Sequence, residues 1–242
     1  MILGICPAAQ LVDLTHGVTP QDVLEGQLAL ESAWRFFPAG TVHLAVVDPG
    51  VGGARRALAM RADGHLFVGP DNGLFTFALA ARDWSAVALE TNAYRLADVS
   101  VTFHGRDVFA PAAAHLAAGL ALEQLGPPIH DPVRLPLPRG RIAEDGIVGE
   151  VIRSDRFGNL ITSVDAEDVR ALGGRGEVAI EVGGRRIAGL ATSYEAGPPG
   201  VAAAIIGSSG RLEVFVRNDS AARVTGAARG TPVRLCVRPP TG

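Results

Sequence analysis

The stretch Val42-His43-Leu44-Ala45-Val46-Val47 is apolar, rich in valine, and stops abruptly at Asp48-Pro49-Gly50-Val51-Gly52-Gly53-Ala54-Arg55-Arg56. Such a run predicts a short strand buried on both faces. One proline and three glycines within five residues then force the backbone to turn. In open α/β sheets ligands bind beyond the carboxyl ends of the strands, which is where Asp48 falls. A carboxylate at a strand end, a pliable loop and a guanidinium at Arg55 make a candidate polar site. The same residues also fit an Asp capping a turn followed by a solvated Arg pair, and the stretch alone does not choose between the two.

The rest of the chain bounds what that strand can belong to. Its 242 residues allow one large domain or two modest ones. A hydrophobic content of 48% with 19% charged residues is that of a globular protein with a real core. The net charge of -3 offers no electrostatic footprint for nucleic acid or an anionic membrane. No apolar run reaches transmembrane length and no signal peptide is evident, so the expected location is the cytoplasm. Cys6 and Cys236 are far apart in sequence, as in a reduced protein, and no Cys/His cluster has metal-ligand spacing. All 22 basic residues are Arg. Without lysine, Schiff-base catalysis and the P-loop lysine are excluded.

Read in order, Met1 to Cys6 resembles the tail of a helix ended by Pro7. Gln10–Thr15 reads as a strand, and Val23–Phe37 as a helix entered through Thr19-Pro20-Gln21-Asp22. Residues 56–61 and 65–68 suggest a strand pair turned at Asp63-Gly64. A helix from about Leu74 to Ala81 follows the turn Gly69-Pro70-Asp71-Asn72-Gly73, then a strand near Ala86–Glu90. The alanine-rich run Val108–Gly119 predicts a helix with Pro111 in its first turn. A proline-rich stretch from Gly126 to Gly140 reads as an interdomain linker. Beyond it, Ile147–Ile152, Val178–Val182, Leu212–Val216 and Val233–Val237 are short runs between Gly-rich turns, the mark of a small all-β domain. The expected architecture is therefore an α/β domain over residues 1–130 with a central, mostly parallel sheet, a linker over 131–145, and an all-β, barrel-like domain over 146–242.

Among the six histidines, His16, His43, His65, His115 and His130 read as structural or solvated. His104, between Phe103 and Gly105-Arg106 just ahead of a helix, is placed to present a side chain at a pocket. No Gly-x-Gly-x-x-Gly follows the first strand, which argues against pyridine-nucleotide binding. The segments Ile5-Cys6-Pro7, Val12-Asp13-Leu14-Thr15-His16, Gln21 to Gly26, Phe37 to Val42, Val47 to Gly52, Gly69 to Leu74, Thr102-Phe103-His104-Gly105-Arg106-Asp107, Asp155-Arg156-Phe157-Gly158-Asn159-Leu160-Ile161-Thr162 and Gly207-Ser208-Ser209-Gly210 occur in that order. Together they resemble the S-adenosylmethionine hydroxide adenosyltransferases, relatives of the fluorinase and chlorinase enzymes.

The resemblance implies hydrolysis of S-adenosylmethionine to adenosine and methionine by attack of water or hydroxide on the ribose C5′. No cofactor and no metal take part. It also implies a homotrimer whose sites lie between the N-terminal domain of one subunit and the C-terminal domain of the next. The family's catalytic Asp-Arg-His set falls on Asp48, Arg55 and His104. Elementary chemistry agrees: a sulfonium leaves without protonation, so aligning and desolvating one water carries the reaction. Asp48 and His104 would orient that water and draw off its proton, with Arg55 stabilising hydroxide character. By the same resemblance Asn159 binds adenine, Phe157 packs on the ligand and Asp155 meets the methionine ammonium. Ser208, Ser209, Arg217, Asn218 and Asp219 complete those contacts, with Phe103 and Gly105 flanking His104. Read from its residues alone, Phe157-Gly158-Asn159 is also good turn chemistry.

The family's first strand ends in Thr-Asp-Phe-Gly, whose Asp grips the ribose diol. No such strand precedes Met1-Ile2-Leu3-Gly4, so the first strand is expected to be missing, through truncation or a misassigned start. That keeps open a catalytically impaired S-adenosylmethionine- or adenosine-binding protein. Halide transfer to the same carbon is the other alternative. The halogenating relatives carry an aromatic residue where Asp48 stands, and a carboxylate there repels a desolvated halide.

Overall fold

The computed structural model describes residues 1–144, 146–173 and 177–238. Residue 145 of the expected linker, and residues 174–176 and 239–242 of the expected C-terminal domain, lie outside the described residues. The chain forms two compact units, residues 1–136 and 137–242.

The first unit opens with a short helix, α1 (Ile2–Ile5). No strand forms over Gln10–Thr15, contrary to the expectation for that segment. Leu11, Val12 and Leu14 lie 58%, 69% and 44% exposed, and a short apolar run without a partner edge gains nothing by extending into a strand. Helix α2 (Val23–Glu31) starts where Asp22 accepts the Glu25 N–H at 3.0 Å while Glu25 reaches back to the Thr19 N–H. The carboxylate cap and the returning glutamate resemble a capping box. The helix ends six residues short of the expected Phe37: Ser32 caps it, and Trp34 turns through a 3₁₀ segment into the core.

Four strands follow, β1 (Val42–Leu44), β2 (Ala57–Ala62), β3 (His65–Pro70) and β4 (Trp84–Ala88), in the order β1-β3-β2-β4. Only β1 and β3 are parallel; β2 pairs antiparallel with both β3 and β4. The sheet is therefore mixed, not mostly parallel. The cause lies in the Asp63-Gly64 turn, both residues at positive φ (47° and 77°), which folds β2 onto β3 as a tight hairpin. The 42–47 strand is also not buried on both faces. Its ladder continues to Ala45, whose N–H reaches the Val68 carbonyl, but Leu44 and Val46 remain 37% and 43% exposed. Among the described residues β1 has only β3 as a neighbour.

The sheet's two faces bury different layers. Leu58, Met60, Ala62 and Phe67 meet Leu30, Trp34, Leu74 and Phe75 on one side. Ala59 and Val68 meet Val108, Phe109, Ala112, Ala113 and Leu116 on the other, the side of α3 (Ala110–Ala117). The period-2 alternation of β2 and β3 sends successive side chains to opposite layers. The expected helix at 74–81 is a 3₁₀ segment, Thr76–Ala80. The end of the unit is tied down by Asp71 and Thr76, which accept the backbone N–H groups of Val133 and Leu135 at 2.8 Å.

The second unit contains β5 (Arg141–Ala143), β6 (Gly146–Ser154), β7 (Leu160–Asp165), α4 (Ala166–Gly173), β8 (Glu177–Val182), β9 (Arg185–Ala188), β10 (Ala202–Ile206), β11 (Arg211–Val216), α5 (Ala221–Thr225) and β12 (Pro232–Arg238). Its strands run in the order β10-β11-β7-β6-β12-β8-β9, with β5 on β6, and every pairing is antiparallel. The sheet curls into a nearly closed barrel around Val151, Leu160, Val164, Ile180, Leu212, Val214 and Val233. No helix among the described residues is long and apolar enough to cross a membrane.

Candidate active site

Asp48 stands at the carboxyl end of the β1 run, where the backbone turns through Val51 N–H to the Asp48 carbonyl and Gly53 N–H to the Gly50 carbonyl. Gly52 takes φ of 75°, and a Cβ there would stand 2.7 Å from the Val101 carbonyl oxygen. The loop therefore packs directly on residue 101, close to His104 in sequence, and only glycine permits it. Asn72, in the Gly69–Gly73 turn, braces the strand end by donating to the Val47 carbonyl at 2.8 Å.

The fold closes the loop so that Arg55 returns to Asp48. Nε donates to Oδ1 at 2.9 Å and to Oδ2 at 3.1 Å, and Nη2 to Oδ2 at 2.5 Å. This is the two-pronged carboxylate grip for which guanidinium is suited. The side chains of Arg55 and Asp48 are only 11% and 6% exposed, which sets aside the reading of a solvated Arg pair. The neighbouring Arg56 instead bonds Asp71 and Asp131, a brace on the end of the unit.

His104 joins the pair from 49 residues beyond Arg55, with Nη2 to Nδ1 at 2.7 Å. It caps a π-helical turn, Gly105–Phe109, that leads into α3, an irregularity common at functional sites. Burial and then the Arg55 charge push the His104 pKa below its usual value, against the pull of Asp48 and Asp107. Phe109, fully buried, lies under the Arg55 guanidinium at 5.2 Å. Asp107 ties the preceding loop, accepting from the Ser100 N–H and from Arg106. Phe103 is 59% exposed, with Arg106 across its ring.

In the second unit Asp155 organises its own turn. Oδ1 accepts the N–H groups of Phe157 and Asn159 at 2.8 and 2.9 Å, and Oδ2 accepts the Asn159 side-chain amide at 3.0 Å. Phe157 projects outward, 70% exposed. Ser208 and Ser209 sit on the turn closed by Gly210 N–H to the Gly207 carbonyl. Arg217 pairs with Glu195, Asn218 holds φ of 59°, and Asp219 accepts from Arg223 and the Ser220 N–H, which hold its carboxyl below the usual range. Tyr194 and Glu213 were not among the expected site residues. The Tyr194 hydroxyl donates to the buried Glu213 carboxylate at 2.8 Å. Burial first, then Glu213 and Asp155, push the Tyr194 pKa up to about 12. The only sequence signal for this pair was an acid in the otherwise apolar run Leu212–Val216. Among the described residues no cluster of three or more His, Cys, Asp or Glu could hold a metal ion.

Comparison with known proteins now fixes the relationship. The N-terminal and C-terminal domain models of the SAM hydroxide adenosyltransferases match residues 1–126 and 149–234. The chain belongs to the SAM hydroxide adenosyltransferase family. An (R)-S-adenosyl-L-methionine hydrolase of Thermus thermophilus is 47% identical, across 95% of this chain and 89% of that protein. A fluorinase of an Actinoplanes species is 30% identical, across 72% of this chain and 67% of that enzyme. In structure, an uncharacterised conserved protein from Thermotoga maritima superposes with a TM-score of 0.89 at 33% identity, covering 97% of this chain and 92% of that one.

Proposed function

We propose that the protein hydrolyses S-adenosyl-L-methionine to adenosine and L-methionine. The observation that carries this reading is the union of Asp48, Arg55 and His104, drawn from a strand end, a loop and a π turn into one hydrogen-bonded group in a chain so similar to a named hydrolase. A sulfonium is already a good leaving group, so the site need only hold one water in line with the C5′–S bond and take its proton. No cofactor is needed for that. Asp48 is the anion at the site, and Arg55 offers a fixed positive field to the developing hydroxide.

The substrate contacts are assigned to Phe103, Gly105, Asp155, Phe157, Asn159, Ser208, Ser209, Arg217, Asn218 and Asp219. The exposed rings of Phe103 and Phe157 support this, as apolar faces open to a nucleoside. The carboxylates of Asp155 and Asp219 already serve neighbouring groups, so the methionine ammonium would be an added partner for them. The protein is taken to be cytoplasmic and homotrimeric.

Incubation with S-adenosyl-L-methionine and chromatography of the products tests the reading. Adenosine and methionine in equal amounts, without added halide, are expected. Product formed only with chloride or fluoride makes the protein a halogenase, and tight binding without turnover makes it a binding protein. Light scattering tests the trimer, which an active monomer would set aside.

A further inference from the structure

The Arg55 guanidinium has donors only. Its Nη2 lies 2.7 Å from His104 Nδ1, so that nitrogen must carry a lone pair, and the proton of the neutral imidazole sits on Nε2. Both ring nitrogens are then unsuited to receive a proton. Nδ1 is engaged, Nε2 is already protonated, and a proton added to Nδ1 would set N–H against N–H. One guanidinium thus serves Asp48 and His104 together, and something must keep its plane from tilting away from either. Phe109 is placed to do so, with its buried ring 5.2 Å from the guanidinium carbon. The π turn makes this possible. His104 caps the turn and Phe109 ends it. Closure five residues on returns Phe109 to the face of His104, where an α-helical turn would leave it about 140° away.

Resting on the hydrolase reading above, we propose that Phe109 is a positioning residue of this site. By bearing the Arg55 guanidinium it fixes His104 in the Nε2–H tautomer, so that His104 meets the attacking oxygen as a hydrogen-bond donor and Asp48 alone receives the proton. In the step itself the water oxygen bonds to C5′ and the C5′–S pair passes to sulfur, giving the methionine thioether. The water proton goes to an Asp48 oxygen and from there to solvent. His104 keeps its proton throughout. The lowered His104 pKa, set by burial and Arg55, with Arg95 acting the same way and Asp48 and Asp107 opposing, agrees with a ring kept neutral.

The test is long-range ¹⁵N–¹H correlation of protein labelled at histidine nitrogens, with the His104 signal identified by its loss in His104→Gln. The wild type should show the Nε2–H pattern whether or not it turns over substrate, so failure of the hydrolase reading and failure of the lock are distinguishable. Phe109→Leu, and Phe109→Met as a second filling of the same volume, should mix the tautomers. They should also lower kcat about tenfold, as loss of a desolvated cation–π contact would, with KM nearly unchanged and the melting curve showing a folded protein. An Nδ1–H or doubly protonated His104 in the wild type overturns the proposal. So does a folded Phe109 variant with the wild-type His104 pattern and kcat.

Discussion

Asp48 and Asp155 stand in similar sequence settings, each an acid at a strand end with glycine close behind, yet their carboxylates do different things. The loop after Asp48 is closed by main-chain bonds, and its carboxylate binds Arg55, which in turn binds His104. The turn after Asp155 is closed by main-chain bonds as well, Gly158 N–H to the Asp155 carbonyl and Asp155 N–H to the Asn159 carbonyl, but there the carboxylate is also drawn in, holding two backbone N–H groups and the Asn159 amide. Both turns close through the main chain, and what differs is whether the carboxylate bonds its own turn or a side chain brought in by the fold.

The sharpest break of this comparison is Asp48→Asn. Asparagine keeps the size but loses the charge and the basicity. Turnover should fall by about 10² or more, the usual contribution of a positioned base, with KM and melting temperature little changed. Steady-state kinetics beside a melting curve decides, and near-normal turnover makes Asp48 scaffolding. Asp155→Ala should show the reverse emphasis, with stability falling by about 1–3 kcal/mol as its turn loses three acceptor contacts. A denaturant titration measures this; an unchanged midpoint would mean that the turn holds without the carboxylate, leaving the proposed substrate contact as the role of Asp155.

A third prediction concerns the buried histidines rather than His104. His43 and His65 share a hydrogen bond at 3.1 Å beneath Trp34 and Phe67. Burial, then the neighbouring His65, push the His43 pKa down to about 4, and burial lowers that of His65. The unfolded chain binds more protons than the folded one in this range, so stability rises with pH there. It is fully present above about 6.5 and is lost as the pH falls toward about 4. Melting temperatures across that window should drop steadily in the wild type and less steeply in His43→Phe. The smallest effect belongs to Arg223→Ala, whose exposed pair with Asp219 is of the kind that contributes little. Its melting curve should overlay that of the wild type, and a clear shift would mean that the pair holds the 217–220 segment.

Much of this was legible in the residues. Asp63-Gly64 announced the β2–β3 hairpin, and that hairpin already argued against a mostly parallel sheet. The strand end with its glycine loop and the family resemblance picked out Asp48, Arg55 and His104, which the fold brings together. Phe109 was invisible because an alanine-rich helix start looks the same whether it begins as an α or a π turn. The strand expected over Gln10–Thr15 failed for the opposite reason, since a run of apolar residues is local whereas a partner edge is not. The partners of the two Asp155 oxygens were not legible in the residues, because turn and ligand make the same demand on them.

The mixed pairing of the first sheet also sets an order of events in folding. The β2–β3 hairpin closes across two residues, and such units form in about 1–10 μs. The parallel pairing of β1 with β3, Val42 to Leu66 and onward, must close a much longer loop before any contact compensates the lost entropy. β1 therefore docks on a hairpin that already exists, and Asp48 arrives with it. On that order Asp48 reaches its place only after the β2–β3 hairpin has closed.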